Sequence, residues 1–440
     1  MIIVDDALRE REAKAEPIRV VLSGAGFAAQ GLILQLTRPT PGIRLAAIAN
    51  RTLATVETVL ANLEITDYVV VEDESGLLQA LADGRLAITG DPLMAAASDG
   101  TEVLVDATGE VEHAARVVLA GIKAGKHIVL INAELDGTLG PILKAKADTA
   151  GVVLTDMDGD QPAVIVNLMR QVATMGFRPV LLGNIKSLLD HYRTPETQAE
   201  FAKNVWQRPK MITSFADGSK IAFEMATTAN ATGFGVLTRG MKGPRCERVE
   251  QAIDLFDQDE LINGPGYVDY ILGAEPSFGV FVLGHNDEKW MRRYMKVYKM
   301  GEGPLYTFYV PSHLGPLETP VTIARVALFG DASATPIGAP VTDVVAFAKR
   351  DLKAGETLDG IGGFTVYGVI ENSSQARSED LLPQGLTDGC TVLGPVSKDE
   401  PLRLSDVEPS VDSVAWRLWR EQCEYRRWPS ASTLAEGVRL

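Results

Sequence analysis

The sequence predicts an α/β protein: a doubly wound parallel sheet at the amino end, a central α+β domain and a small all-β module near the carboxyl end. Three observations carry this expectation. Short apolar runs alternate with helix-length segments from Ile18 to Thr155. The first run ends in a glycine-rich turn, Gly24-Ala-Gly26. Beyond Ala339 the apolar runs shorten and lie between turn residues. The expected boundaries are 1–165, 166–338 and 339–408, with a helical tail over 409–440.

Taken in order, residues 5–15 read as a charged helix and Ile18 to Ser23 as the first strand. Leu32, Ile33 and Leu36 recur at helical spacing after the turn. Ile43 to Ala49 is a second strand and Leu53 to Leu63 a helix. Leu86 to Thr89, Val103 to Gly109 (a strand ending in a turn), His127 to Asn132 and Val152 to Thr155 are further strands. Helices are expected over 111–124 and 143–150, ended by Gly125 and Gly151. Pro162 to Met175 reads as a helix. In the middle third, 180–186, 211–215, 280–284, 306–309 and 322–329 have strand-like content. Ile221 to Ala229 suits helix or strand. Val344 to Lys349 alternates weakly, Leu352 to Leu358 is a turn followed by a strand start, Leu381 to Leu386, Thr391 to Val396 and Pro401 to Leu404 are short strands, and Val411 to Trp428 is an amphipathic helix.

The turn after the first strand has the form Gly-x-Gly-x-x-Ala, closed by Ala29. Gly24 makes the turn, Gly26 lets the backbone approach a pyrophosphate, and the following helix offers its positive N-terminal end. This is a Rossmann dinucleotide fingerprint. Gly24, Gly26, Phe27 and Ala28 are therefore expected to bind the cofactor. Ligands sit beyond the carboxyl ends of the strands in such a sheet, which adds Asn50, Arg51, Thr108, Gly109 and Asn132. Where the fingerprint expects an acid for the ribose hydroxyls, this chain has Asn50-Arg51. An arginine pairs with a ribose phosphate, so NADP(H) is expected over NAD(H).

The formal charge of −16 over 440 residues argues against broad nucleic-acid or membrane-surface binding. Cys246, Cys390 and Cys423 lie far apart, the pattern of structural thiols in a reducing compartment. The acidic start is unlike a signal peptide, and no apolar run reaches a membrane span. A cytoplasmic protein acting on a small molecule is the expectation. His113, His127, His285 and His313 show no zinc spacing.

The amino-terminal half, through Gly24-Ala-Gly26, Asp106-Ala-Thr-Gly109 and His127 to Asn132, resembles the homoserine-dehydrogenase-like group of NAD(P)-dependent oxidoreductases. Residues 348–358, 382–386 and 395–399 resemble a SAF (β-clip) domain, as found in sialic acid synthases. The combination, with Phe215 to Lys220, Glu224-Met-Ala226, Ala229 to Gly233, Gly243-Pro-Arg245, Val268-Asp-Tyr270 and Gly303 to Tyr306, resembles the deoxyxylulose-phosphate-reductoisomerase-like enzymes. The resemblance implies an NADPH domain, a central catalytic and dimerisation domain, a homodimer, and reductive rearrangement of a ketose phosphate. The chain departs from it at Gly159-Asp-Gln-Pro162, where Gly-Asp-Glu-Pro is expected, and over Ile185 to Pro195.

Hydride transfer to a carbonyl needs a proton donor beside the developing alkoxide. Lys186 follows a strand in the domain where the resembled enzymes place a catalytic lysine. His191, Glu134 and Asp160 complete the catalytic candidates. Asp158, Arg208, Lys210, Asn230 and Arg239 are candidates for a small anionic substrate, with Lys242 and Arg245 adding to the basic set. Asn230 is equally a capping residue. Asp158, Asp160 and Glu134 are the oxygen set a Mg2+ ion would need. Three functions follow: reductoisomerase-type reduction of a sugar or polyol phosphate, simple dehydrogenation of the homoserine type, or dinucleotide-responsive binding without catalysis.

Overall fold

The computed structural model describes residues 3–38, 40–410 and 413–428. The chain divides into two compact units. The first takes the residues up to Asp160, with Leu314–Thr335 and Arg417–Gln422; the second takes Gln161–His313, Pro336–Trp416 and the chain from Cys423. The division falls five residues before the expected boundary at 165, and residues 314–335 return to the first unit.

The first unit is built on seven parallel strands: β1 (Ile18–Ser23), β2 (Ile43–Ala49), β3 (Tyr68–Val70), β4 (Leu86–Thr89), β5 (Val103–Asp106), β6 (His127–Leu130) and β7 (Leu154–Asp156). Their order is β3-β4-β2-β1-β5-β6-β7. Every pair is parallel, with β1 between β2 and β5. The strand order therefore reverses between β1 and β5, and a crevice opens there at the carboxyl ends. Five of the six residues of β1 are buried, as a strand covered on both faces requires. Val20, Leu22, Leu32, Ile33 and Ile48 form the centre of one core with Ile323 and Val326.

Two expected strands are helices. Met211 to Phe215 lies within the helix Pro209–Ala216, started by Pro209 in its first turn. Thr322 to Phe329 lies within the helix Thr319–Phe329, which ends at Gly330 in the left-handed region. Its buried Thr319, Thr322, Ile323 and Val326 recur at positions 1, 4, 5 and 8 of one helical stripe. The helix expected over 143–150 starts at Ala133, where the Asn132 side chain accepts a hydrogen bond from the Leu135 N–H at 3.0 Å. The segment at Ile221 resolves as the helix Ser219–Thr232, buried along its whole length.

The second unit holds a four-stranded sheet of β8 (Arg178–Lys186), β9 (Tyr267–Leu272), β10 (Val280–His285) and β11 (Leu305–Val310), in the order β11-β10-β8-β9. β8 runs parallel to β9 and antiparallel to β10. The helices Gln161–Thr174 and Ser219–Thr232 pack on it and on each other. After Pro336 come two antiparallel pairs, β12 (Thr342–Ala348) with β13 (Val366–Asn372), and β14 (Thr391–Val392) with β15 (Val407–Glu408). Isolated bridges such as Leu352 to Val396 and Phe347 to Pro401 join the intervening turns.

This β region clasps the helix Ser219–Thr232. Lys349, 3% exposed at its side chain, pairs with the fully buried Asp217 at 2.8 Å and donates to the Arg193 and Gly363 carbonyls. The Ser219 hydroxyl accepts from the Gly368 N–H and from Gln384 Nε2. At the other end, Asn230 Oδ1 accepts from the Val341 and Thr342 N–H groups.

The helix Val414–Glu424 lies within the expected carboxyl-terminal helix. Residues 411, 412 and 429–440 of that expectation lie outside the described residues.

Candidate active site

In the first unit, β1 delivers the chain into the glycine turn. Gly24 has φ +110°, and a Cβ there would stand 2.7 Å from the Ala107 carbonyl oxygen. The turn after β1 thus packs directly on the turn after β5. Gly26 precedes the helix Phe27–Thr37 with no side-chain cap, and a Cβ on it would meet nothing within 4 Å. Uncapped first-turn N–H groups beside open space are what a pyrophosphate requires. Ala29 is fully buried, Ala28 half-buried and Phe27 half-exposed at 50%. The residues present fit a dinucleotide.

Arg51 pairs with Glu110 at 2.6 Å through one Nη. Its Nε and other Nη make no hydrogen bond among the described residues. Asn50 Nδ2 donates to the Thr52 carbonyl at 2.8 Å. Asn132 is fully buried and donates to Asp106 Oδ2 at 2.8 Å while capping its helix. Its side chain builds the rim rather than standing open to a cofactor. Thr108 also donates to Asp106, and Gly109 takes φ +68°. Burial, opposed by the Asn132 and Thr108 hydrogen bonds, pushes the Asp106 carboxyl up to about 6.

The expected Mg2+ set does not form. Asp158 accepts from Thr322 at 3.0 Å, Arg325 at 3.1 Å and Ser333 at 2.6 Å, so its carboxylate is spent inside the first unit. Among the described residues no three His, Cys, Asp or Glu side chains gather to hold a metal. Glu134 and Asp160 are both buried. The same contacts remove Asp158 from the substrate-binding candidates.

The second unit gathers a polar cluster from three distant stretches. Lys186 ends β8, two residues after Asn184 on the same face. Glu224 projects from the second turn of its buried helix, and Gln161 begins another. Lys186 Nζ donates to Glu224 Oε2 at 3.1 Å and to Gln161 Oε1 at 3.2 Å. Asn184 Nδ2 donates to Gln161 Oε1 and, at 3.3 Å, to Glu224 Oε2. The Glu224 side chain is 3% exposed and that of Lys186 14%. Two of the three ammonium N–H groups are engaged, and the third has no acceptor among the described residues. This is an ammonium held in place by a buried carboxylate with one proton left for a ligand.

The other candidates lie elsewhere. His191 donates from Nδ1 to the Asp217 carbonyl at 2.7 Å and stacks on Tyr367, with ring centroids 4.3 Å apart. It belongs to the clasp around Lys349. The basic set does not converge. Arg239 pairs with Glu371 and Glu379, both at 2.6 Å, Lys210 donates to the Asp359 carbonyl, and Arg208 is exposed. Asn230 is committed to residues 341 and 342. For Arg239, Lys210 and Asn230, internal hydrogen bonds replace the expected substrate contact.

Residues 159–319 match the family model described as the catalytic domain of oxidoreductase DRL. No curated protein matches the sequence. Among solved structures, a homoserine dehydrogenase from Thiobacillus denitrificans is similar at 14% identity and a TM-score of 0.43, covering 88% of this chain and 98% of that one. The 1-deoxy-D-xylulose 5-phosphate reductoisomerase of Zymomonas mobilis, solved with NADPH, is similar at 18% identity and TM-score 0.32 over 48% of this chain and 57% of that one. An NAD binding oxidoreductase from Klebsiella pneumoniae is similar at 17% identity and TM-score 0.29, over 41% and 44%. The chain thus spans less than two thirds of the last two. Among the described residues no helix is long and apolar enough to cross a membrane.

Proposed function

We propose that the chain is an NADP(H)-dependent oxidoreductase that reduces the carbonyl group of a small anionic substrate of the sugar- or polyol-phosphate class. The observation that carries the reading is Lys186, fixed by Glu224 and Gln161 with its third N–H open. A reduced nicotinamide, when bound, supplies the hydride. The chain's own part is to receive the charge that develops on the carbonyl oxygen. The ammonium sits 14% exposed beside a carboxylate that is 3% exposed, a setting in which charge stabilisation is stronger than in water. Lys186 then gives its proton to that oxygen, and Glu224 holds the resulting amine in place for reprotonation.

The glycine turn and the uncapped helix of the first unit support dinucleotide binding. The open edge of Arg51 supports a ribose phosphate, which favours NADP(H). Plain reduction needs only this hydride and proton. Isomerisation before reduction needs a further acid–base pair, and the carbon skeleton of the product distinguishes the two.

The test is oxidation of NADPH with a panel of ketose, aldose and polyol phosphates, using wild type and Lys186→Ala. Turnover with one substrate, reduced about 100- to 10,000-fold in the variant while cofactor binding is kept, is the expected result. Cofactor binding with no turnover on any member would favour a binding protein. Full activity in Lys186→Ala would remove the assigned proton donor.

A further inference from the structure

We infer that His313 is a positioning residue: its Nε2, unprotonated, holds the Gln161 side-chain amide in the one orientation that lets Gln161 Oε1 carry the Lys186 ammonium. An ammonium donates and cannot accept. The end of Gln161 that lies 3.2 Å from Lys186 Nζ must therefore be the oxygen. Asn184 fixes the same assignment independently. Its Nδ2 faces the Glu224 carboxylate at 3.3 Å, which only an N–H can do, and the same Nδ2 meets Gln161. The Gln161 acceptor is thus specified twice, by a lysine and by an amide that is itself oriented by a buried glutamate.

The other end of Gln161 is then the NH2 group, a donor only. It lies 3.0 Å from His313 Nε2. That nitrogen must accept, so the neutral ring carries its proton on Nδ1. An imidazolium would set donor against donor at this contact. The amide would then turn over, present its NH2 to Lys186 and Asn184, and lose both hydrogen bonds at once. The ring is held in plane by Phe278, whose centroid lies 4.4 Å away at 12°. The residues engaged come from β8, two helices and the segment after β11, so no local hydrogen bond dictates the arrangement.

This gives the Gln161 departure from Gly-Asp-Glu-Pro a physical content. A carboxylate at 161 has no N–H to offer and would demand a proton on His313 Nε2 instead. Glutamine inverts the tautomer and leaves a neutral acceptor facing the imidazole. The hydrogen-bond assignment stands on geometry alone; the positioning role rests on Lys186 being the proton donor proposed above.

The test is a long-range 1H–15N correlation spectrum of the full chain labelled with 15N-histidine, in which protonated and unprotonated ring nitrogens resonate far apart. The chain has five histidines, and the signals lost in His313→Gln identify residue 313. The expected wild-type pattern is protonated Nδ1 and unprotonated Nε2. In Gln161→Glu the Nε2 signal moves to the protonated position. A protonated Nε2 in wild type, or a His313 pattern unmoved in a folded Gln161→Glu protein, would overturn the inference. The wild-type spectrum decides even where the variant does not fold. With a substrate from the phosphate panel, His313→Leu lowers kcat about tenfold to a hundredfold with KM unchanged, and His313→Gln, which keeps an acceptor, restores it. Unchanged kcat in His313→Leu would overturn the positioning role. Absence of any substrate would strike the proposed reduction and leave the tautomer reading intact.

Discussion

Asp106 has no exposed surface and ends β5 beside the glycine turn. Burial raises its carboxyl from 3.8 to about 6 against the hydrogen bonds from Asn132 and Thr108. A carboxyl whose folded value lies above its unfolded value contributes stability below the unfolded value and loses it as pH rises through the folded one. At about 1.4 kcal/mol for each tenfold in acidity, the rise from 3.8 to about 6 is worth about 3 kcal/mol. Asp106→Asn removes the titration and keeps the shape. Its carbonyl oxygen can still accept from Asn132, and the Thr108 hydroxyl can turn to accept from the new NH2. The stability of the variant relative to wild type should therefore climb by about 2 to 3 kcal/mol between about pH 4 and pH 7. Urea unfolding of both proteins across that range measures it, and taking the difference cancels every other group. Two curves that run parallel from pH 4 to pH 7 would refute the reasoning, because they would mean that Asp106 is not desolvated in the folded chain.

Three further outcomes are expected. Lys186→Met removes the ammonium that donates to Glu224 Oε2 at 3.1 Å and costs about 3 kcal/mol of stability; adding Glu224→Gln in the same chain returns part of it, read by urea unfolding. Lys349→Met leaves Asp217 unpaired. Burial already holds the Asp217 carboxyl above its ordinary value and Lys349 opposes that, so the variant loses stability most at neutral pH and regains part of it on acidification, measured by thermal melts at several pH values. Glu110→Gln frees Arg51 from an exposed ion pair worth up to about 1 kcal/mol, so NADPH binding tightens by up to about fivefold while NADH binding changes less, read by nicotinamide fluorescence.

The amino-terminal sheet is legible in the sequence because each of its parts is local. Strand, turn and helix follow one another, and Gly24, Gly26 and Ala29 state the crossover geometry within six residues. Two helices were hidden by their composition. Met211 to Phe215 and Thr322 to Phe329 are rich in β-branched and aromatic residues, and the signals that decide them are Pro209, Pro320 and Gly330 at the ends. Lys186 stands out as a cation at the end of a strand. Its partners do not, since Glu224 and Gln161 reach it from 38 and 25 residues away. The resemblance passed through both stretches, in Glu224-Met-Ala226 and Gly159 to Pro162, without saying what either side chain would touch. The anion candidates failed for the opposite reason. Arg239 and Lys210 carry the right charge, but each is consumed by a partner more than 130 residues away.

The most direct measurement is a titration of the purified protein with NADPH and with NADH, followed by reduced-nicotinamide fluorescence. The account predicts saturable binding of NADPH and weaker binding of NADH. Binding of NADH in preference would contradict the role given to Arg51. Binding of neither would contradict the dinucleotide cradle at Gly24 to Ala29 and the proposed reduction that depends on it.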